Sequence, residues 1–190
     1  SGSGNGVIEQ SLASGGANLA IRKEGAGTWI LTSDSNGYSG ETTIVEGVLQ
    51  IGNGGATGRI GTGNPAVKTR PPSLINLNAG AILAFNRTTP LTVANDWIGF
   101  TDGGIRTLRN DGAGKITLDG GNIGLSSGAT TLVLTGSGDG EIKQSIASGG
   151  ATISIQKDGA GTWALANAET NYSGPTTINA GMLEVTGRLG

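Results

Sequence analysis

No cysteine and no histidine occur in the 190 residues. Disulfide frameworks, thiolate nucleophiles, Cys/His zinc sites and Ser-His-Asp triads are excluded together. Aromatic residues make up 4% and charged residues 14%, with twelve basic against fourteen acidic side chains scattered among polar stretches. No basic stripe for nucleic acid or an anionic membrane results. An apolar run of 18 residues is lacking, as are a leader-like opening and an alternating barrel segment, so the segment is expected to carry neither targeting nor anchor parts. Sustained apolar spacings of three and four are also missing, which argues against amphipathic helices.

Glycine is abundant, at 37 of 190 residues. It shows no three-residue period, which excludes collagen, and each interior glycine weakens a helix by about 1 kcal/mol. Disorder is disfavoured as well, because apolar and β-branched pairs recur and the net charge is only −2.

The chain is duplicated. Gly25-Ala26-Gly27-Thr28-Trp29-Ile30-Leu31 returns as Gly159-Ala160-Gly161-Thr162-Trp163-Ala164-Leu165, a shift of 159 − 25 = 134 residues that aligns 1–56 with 135–190 without a gap. Positions that differ between the copies show which side is free to vary. Leu19 and Ile21 match Ile153 and Ile155, while Ala20 and Arg22 give way to Ser154 and Gln156. The same alternation holds for Trp29/Leu31 against Trp163/Leu165 and for Leu49/Ile51 against Leu183/Val185. Period two with one fixed apolar face predicts half-buried strands, and Trp29 and Trp163 are expected to be buried wedges.

Apolar pairs or near-pairs lie at Ile8, Leu19/Ile21, Trp29/Leu31, Thr42/Ile44, Leu49/Ile51, Ile75/Leu77, Leu83/Phe85, Leu91/Val93, Ile116/Leu118, Ile123/Leu125 and Leu132/Leu134. Short strands at this spacing, separated by Gly, Asn, Asp and Ser, suggest an all-β solenoid, sandwich or barrel. Repetition of strands with similar residues favours the solenoid, with rungs of roughly 20 to 30 residues. Gly37 exchanges with Asn171, and Asn53 with Gly187, so these positions are read as left-handed corners.

The chain is therefore read as one unit over 1–190, with repeats at 1–56 and 135–190 and a degenerate repeat region at 57–134. In that region Gly112-Ala113-Gly114-Lys115-Ile116-Thr117-Leu118 is a worn version of the motif. Residues 64–73 break the pattern, since Pro65, Pro71 and Pro72 forbid a central strand and Lys68 and Arg70 need water. They are read as a loop leaving the wall. A projecting loop on a rigid scaffold is a candidate interaction site, although a plain connector is the simpler reading.

The spaced motif resembles a known family. Gly25, Gly27, Thr28, Trp29, Leu31, Tyr38 and Gly40, matched by Gly159, Gly161, Thr162, Trp163, Leu165, Tyr172 and Gly174, are similar to the passenger-associated β-strand repeat of bacterial autotransporters. Asn171-Tyr172-Ser173-Gly174 fits the pattern, whereas the first copy has Gly37 in place of the Asn. The resemblance implies a right-handed parallel β-helix from the passenger of a type V secreted protein, at the bacterial surface or released from it. Its implied function is a stalk that assists secretion and folding and displays or contributes to adhesion. The implied partners are adjoining passenger rungs, a C-terminal translocator barrel, and a host-cell or matrix ligand or a further copy of the chain. With both ends inside repeats, the terminal rungs are expected to expose strand edges.

Little chemistry remains beside that reading. Asp96, Asp102, Asp111 and Asp119 form the mid-chain acidic group, with Trp97 beside it. Two carboxylates flanking an aromatic platform would suit a polysaccharide-acting enzyme, the alternative reading, but turns favour Asp in any case. Gly136-Ser137-Gly138-Asp139-Gly140 is similar to a calcium-binding nonapeptide, yet it is isolated and its counterpart carries Asn5, so no calcium ladder is expected. No cofactor, metal site or catalytic residue is expected. Outward threonines at every rung, which an ice- or surface-binding solenoid needs, are absent as well.

Overall fold

A computed structural model describes residues 2–15, 18–61, 74–94, 97–100, 102–124, 128–148, 150–167 and 171–186. Among these there is no helix. Strands β1 (Gly6–Ile8), β3 (Thr28–Leu31), β5 (Val48–Gly55), β7 (Ile82–Arg87), β10 (Gly104–Asn110), β13 (Thr130–Thr135), β16 (Ile153–Lys157) and β18 (Thr176–Ile178) stack in that order as the first sheet. The second sheet holds β8 (Leu91–Val93), β11 (Ile116–Leu118), β14 (Gly140–Ile142), β17 (Thr162–Leu165) and β19 (Met182–Val185). The third holds β2 (Ile21–Lys23), β4 (Thr42–Ile44), β6 (Leu74–Leu77), β9 (Trp97–Gly99), β12 (Asn122–Gly124) and β15 (Ser145–Ala147).

Neighbours in every sheet are parallel, and the chain passes from first to second to third sheet before returning one level up. This is a parallel β-helix, for whose crossovers the right hand is the rule. In the early coils an isolated parallel bridge, Ala13 to Gly37, takes the place of a second-sheet strand. Eight levels in the first sheet, at about 4.8 Å each, make a rod of roughly 34 Å.

Alternation explains the core. Leu49, Leu83, Leu108 and Leu134 lie in one register column of the first sheet and are at most 1% exposed. Burying each such side chain contributes about 1.5–3 kcal/mol. Phe85, Ile51 and Leu31 form a second inward column two residues on. Ile44, Ile75 and Leu77 from the third sheet and Ile116, Leu118 and Ile142 from the second complete the filling.

Three expectations need correction. Leu19 is 37% exposed and precedes β2, unlike its counterpart Ile153, because no lower strand gives it a register partner; Ile153 pairs with Thr130. Gly37 is not in the left-handed region; it makes the bridge to Ala13, just as Asn171 bridges to Ala147, so the exchange sits on a strand stub. Gly187, the partner of Asn53, and the segment 64–73 lie outside the described residues. Finally, β10 was not anticipated, because two of its inward positions carry Arg106 and Asn110.

The copies do not lie on the same side of the rod. Trp29 is in the first sheet and Trp163 in the second; β2 is in the third sheet and its counterpart β16 in the first. From β3 the first sheet climbs five levels to β16, and β17 is one face further on. The second copy is thus displaced by five and a third turns.

Candidate functional site

Local networks define the repeat, and they survive this rotation. Each coil turns into the Trp strand through a Gly-x-Gly corner. Gly25 (φ 76°) and Gly159 (φ 72°) need the left-handed region. A Cβ on Gly27 or Gly161 would come within 2.1 or 2.2 Å of the carbonyl oxygen of Gly4 or Gly138 below. The corner therefore stacks backbone on backbone.

A lysine closes it. Lys23 Nζ donates to the carbonyls of Glu24 (3.1 Å), Gly25 (2.5 Å) and Glu46 (3.0 Å). Lys157 Nζ does the same with Asp158 (2.6 Å), Gly159 (2.8 Å) and Ala180 (3.1 Å). Both residues are buried, and desolvation pulls each ammonium below the usual lysine pKa, against an opposing pull from Glu46 or Asp158. Each ammonium ties one coil to the next with charge-assisted bonds. Sequence reading missed these lysines, although both copies retain Lys at the inward position two after an isoleucine.

The tryptophans fill space left by glycine. Gly6 is register partner of Trp29 and Gly140 of Trp163, and a Cβ on either would lie 2.7 or 2.5 Å from the indole. Trp163 is fully buried and its Nε1 donates to Thr135 O at 3.2 Å; Trp29 is half-buried. Tyr38 and Tyr172 are buried, with hydroxyls 2.8 and 2.7 Å from Thr42 Oγ1 and Thr176 Oγ1. Burial raises the pKa of Tyr38. Gly40 and Gly174 each donate N–H to the coil below, to Leu19 O and Ile153 O at 2.8 Å. Thr28 N and Thr162 N bond Asn5 Oδ1 (2.7 Å) and Asp139 Oδ1 (2.9 Å), which gives Asp139 a structural role as an inter-coil tie. Leu31 and Leu165 are both in the core.

The mid-chain acids face cations. Asp102 contacts the buried Arg106, whose guanidinium also bonds Leu77 O and lies 5.0 Å from the Phe100 ring centre. Asp111 pairs with Arg109 at 2.8 Å, and Asp119 with Lys143 at 3.8 Å. These three therefore sit beside single cations, each about half exposed. Asp96, and the candidate loop residues Lys68 and Arg70, lie outside the described residues; of Trp97 only the backbone, in β9, is described. Among the described residues, no three His, Cys, Asp or Glu side chains are placed to share a metal.

A cavity of about 220 Å³ opens at the first coil, lined by Ile8, Ile21, Trp29, Leu31 and Leu49 with Lys23 at its edge. At the far coil Ile178 and Met182 are each 54% exposed.

Comparison with known proteins matches the passenger-associated-transport-repeat at residues 21–51 and 155–185. The chain is also similar to the adhesin BmaC autotransporter of Brucella suis biovar 1 (strain 1330), 33% identical over 165 residues. That alignment takes in 87% of this chain and 4% of the relative, so the chain spans a small fraction of that protein's length. No solved structure matches.

Proposed function

From a chain that belongs to the autotransporter passengers carrying this repeat, we propose a non-catalytic stalk segment that is exposed on, or released from, the bacterial outer surface. In this reading the rod supports secretion and folding of a longer passenger and contributes to adhesion to a host cell or matrix ligand. The observation that carries it is the corner network, present in both repeats, in which a buried lysine and crowded glycines tie one coil to its neighbour. Further passenger coils are the proposed immediate partners, with a translocator barrel beyond them, since the chain matches only 4% of its adhesin relative.

The test uses the full-length protein on its own bacterium. Removing 21–51 and 155–185 together is expected to lower the amount detected on intact cells by an antibody against a distant region, and to lower the number of bacteria adhering to host cells. Unchanged display and unchanged adhesion would overturn the reading. Cleavage of a host glycan that is lost in Asp102→Asn or Asp119→Asn would replace it with the enzymatic one.

A further inference from the structure

Three asparagines in the chain precede a glycine: Asn5, Asn36 and Asn53. Such a pair carries latent chemistry, because the glycine amide nitrogen can attack the asparagine side-chain carbonyl with no Cβ in the way. Whether it does so depends on the fold, since the two atoms meet only where the main chain between them can turn into line.

Two of the pairs are locked. Asn36 is 1% exposed, its Oδ1 accepts from Leu12 N at 2.9 Å, and its Nδ2 donates to Ser33 O at 3.1 Å and Arg59 O at 2.8 Å. The nitrogen that would attack, Gly37 N, itself donates to Leu12 O at 2.9 Å. Asn5 Oδ1 accepts from Thr28 N at 2.7 Å, and Gly6 follows it in β1, in register with Trp29 and pressed against the indole.

The third pair sits in a bulge. β5 and β7 are in register at Ile51 and Phe85 and again at Gly55 and Arg87, a step of four residues on β5 against two on β7. Gly52, Asn53 and Gly54 therefore stand outside the ladder. The feet of the bulge are braced: Gln50 Nε2 donates to Gly52 O at 2.8 Å and Thr88 N to Gly55 O at 2.9 Å. Arg87, paired with Asp34 at 3.0 Å, donates to Ala56 O at 2.6 Å. At the tip Asn53 is exposed, and Gly54, at φ 78°, stands in open space, with Asn86 Oδ1 4.0 Å from where a Cβ would lie.

We propose that Asn53 is a self-modifying site, converted with Gly54 as the nucleophile to aspartate or isoaspartate while the chain stays folded. In the first step Gly54 N bonds to Asn53 Cγ, the Cγ–Nδ2 bond breaks, and ammonia leaves with the proton of the Gly54 amide. In the second, water adds to one of the two carbonyls of the cyclic imide and opens it, giving aspartate from one carbonyl and isoaspartate from the other. No bond is oxidised or reduced, and water is the one co-reactant. Each conversion adds a negative charge to a chain of net charge −2, on a corner outside the ladder. The product accumulates with the age of the molecule, which suits a mark of time since folding rather than a switch.

Hydroxylamine, which cleaves a chain at such an imide, reads the site directly. In guanidinium the unfolded chain is expected to be cut after Asn5, Asn36 and Asn53 alike. Folding is expected to slow the cuts after Asn5 and Asn36 by roughly a hundredfold, the cost of holding reacting atoms out of line, and the cut after Asn53 by less than about threefold. Without hydroxylamine, peptide mass mapping of the stored, folded chain is expected to show a gain of about one dalton at Asn53. That gain should appear faster at mildly alkaline pH, because the attacking amide must lose its proton, and be missing from Asn53→Ser. Since the bulge lies outside the ladder, the aged chain is expected to keep the urea midpoint of the fresh one. Folded-state cleavage at Asn5 or Asn36 as fast as at Asn53, protection of Asn53 equal to theirs, or a lowered midpoint in the aged chain would each overturn the proposal. None of these readouts depends on display or host adhesion, so this site and the stalk reading fail separately.

Discussion

Trp29 and Trp163 stand at equivalent places in two near-identical stretches, yet the first is half-buried and the second wholly buried. The local reasons are the same in both, with glycine beneath the ring and a leucine two residues on. The difference lies in what each coil rests on. Trp163 has β14 and then β11 below it in the second sheet, whereas Trp29 has β1 alone, above the open cavity. A repeat therefore carries its own hydrogen-bond pattern but borrows burial from its neighbours, as nearest-neighbour solenoid energetics require.

This contrast can be broken most severely at the rings. Trp163→Ala is expected to cost about 3–5 kcal/mol, and Trp29→Ala about 2 kcal/mol because less surface and fewer partners are lost. Urea unfolding of both variants measures the difference; equal losses would mean that the lower coil is as well supported as the upper. The lysines offer a sharper test, since both donate three carbonyl bonds whatever the exposure of the nearby ring. Lys157→Met and Lys23→Met are each expected to cost about 2–4 kcal/mol, because turn carbonyls are left unpaired in the interior. A Lys23→Met loss close to zero would mean that water already serves those carbonyls in the lower coil.

The smallest effect concerns acid. Asp158 accepts from Asn179 and Gln156, both at 2.7 Å, and these bonds hold its pKa below the ordinary aspartate value. In the first copy Glu24 is lowered instead by its bond to Arg22. A carboxyl depressed in the folded state adds stability above its unfolded pKa, and loses it as pH falls through the folded one. Asp158→Asn is thus expected to make stability fall slightly less steeply below about pH 4. A slope identical to that of the unsubstituted chain would show that the two amide bonds do not favour the ionised form.

Much of this was legible because a wall strand has one face against the core. Leu49/Ile51, Leu83/Phe85 and Leu132/Leu134 announce inward columns by alternation alone. β10 escaped because alternation detects apolar groups only, and Arg106 enters the core by finding Leu77 O, Gly104 O and Asp102. Lys23 and Lys157 were hidden for the same reason. The glycines under the indoles were present as an unexplained shared residue in both copies, since a missing side chain has meaning only when the ring above it is known.

The sequence by itself determined the parallel coil and the repeat, because these depend on local period and on identity between copies. Tertiary structure decided the facing. The 134-residue shift spans five and a third turns, so matched strands fall on different sheets. Which side a residue presents to solvent depends on the summed lengths of all coils between the copies, which local pattern does not encode.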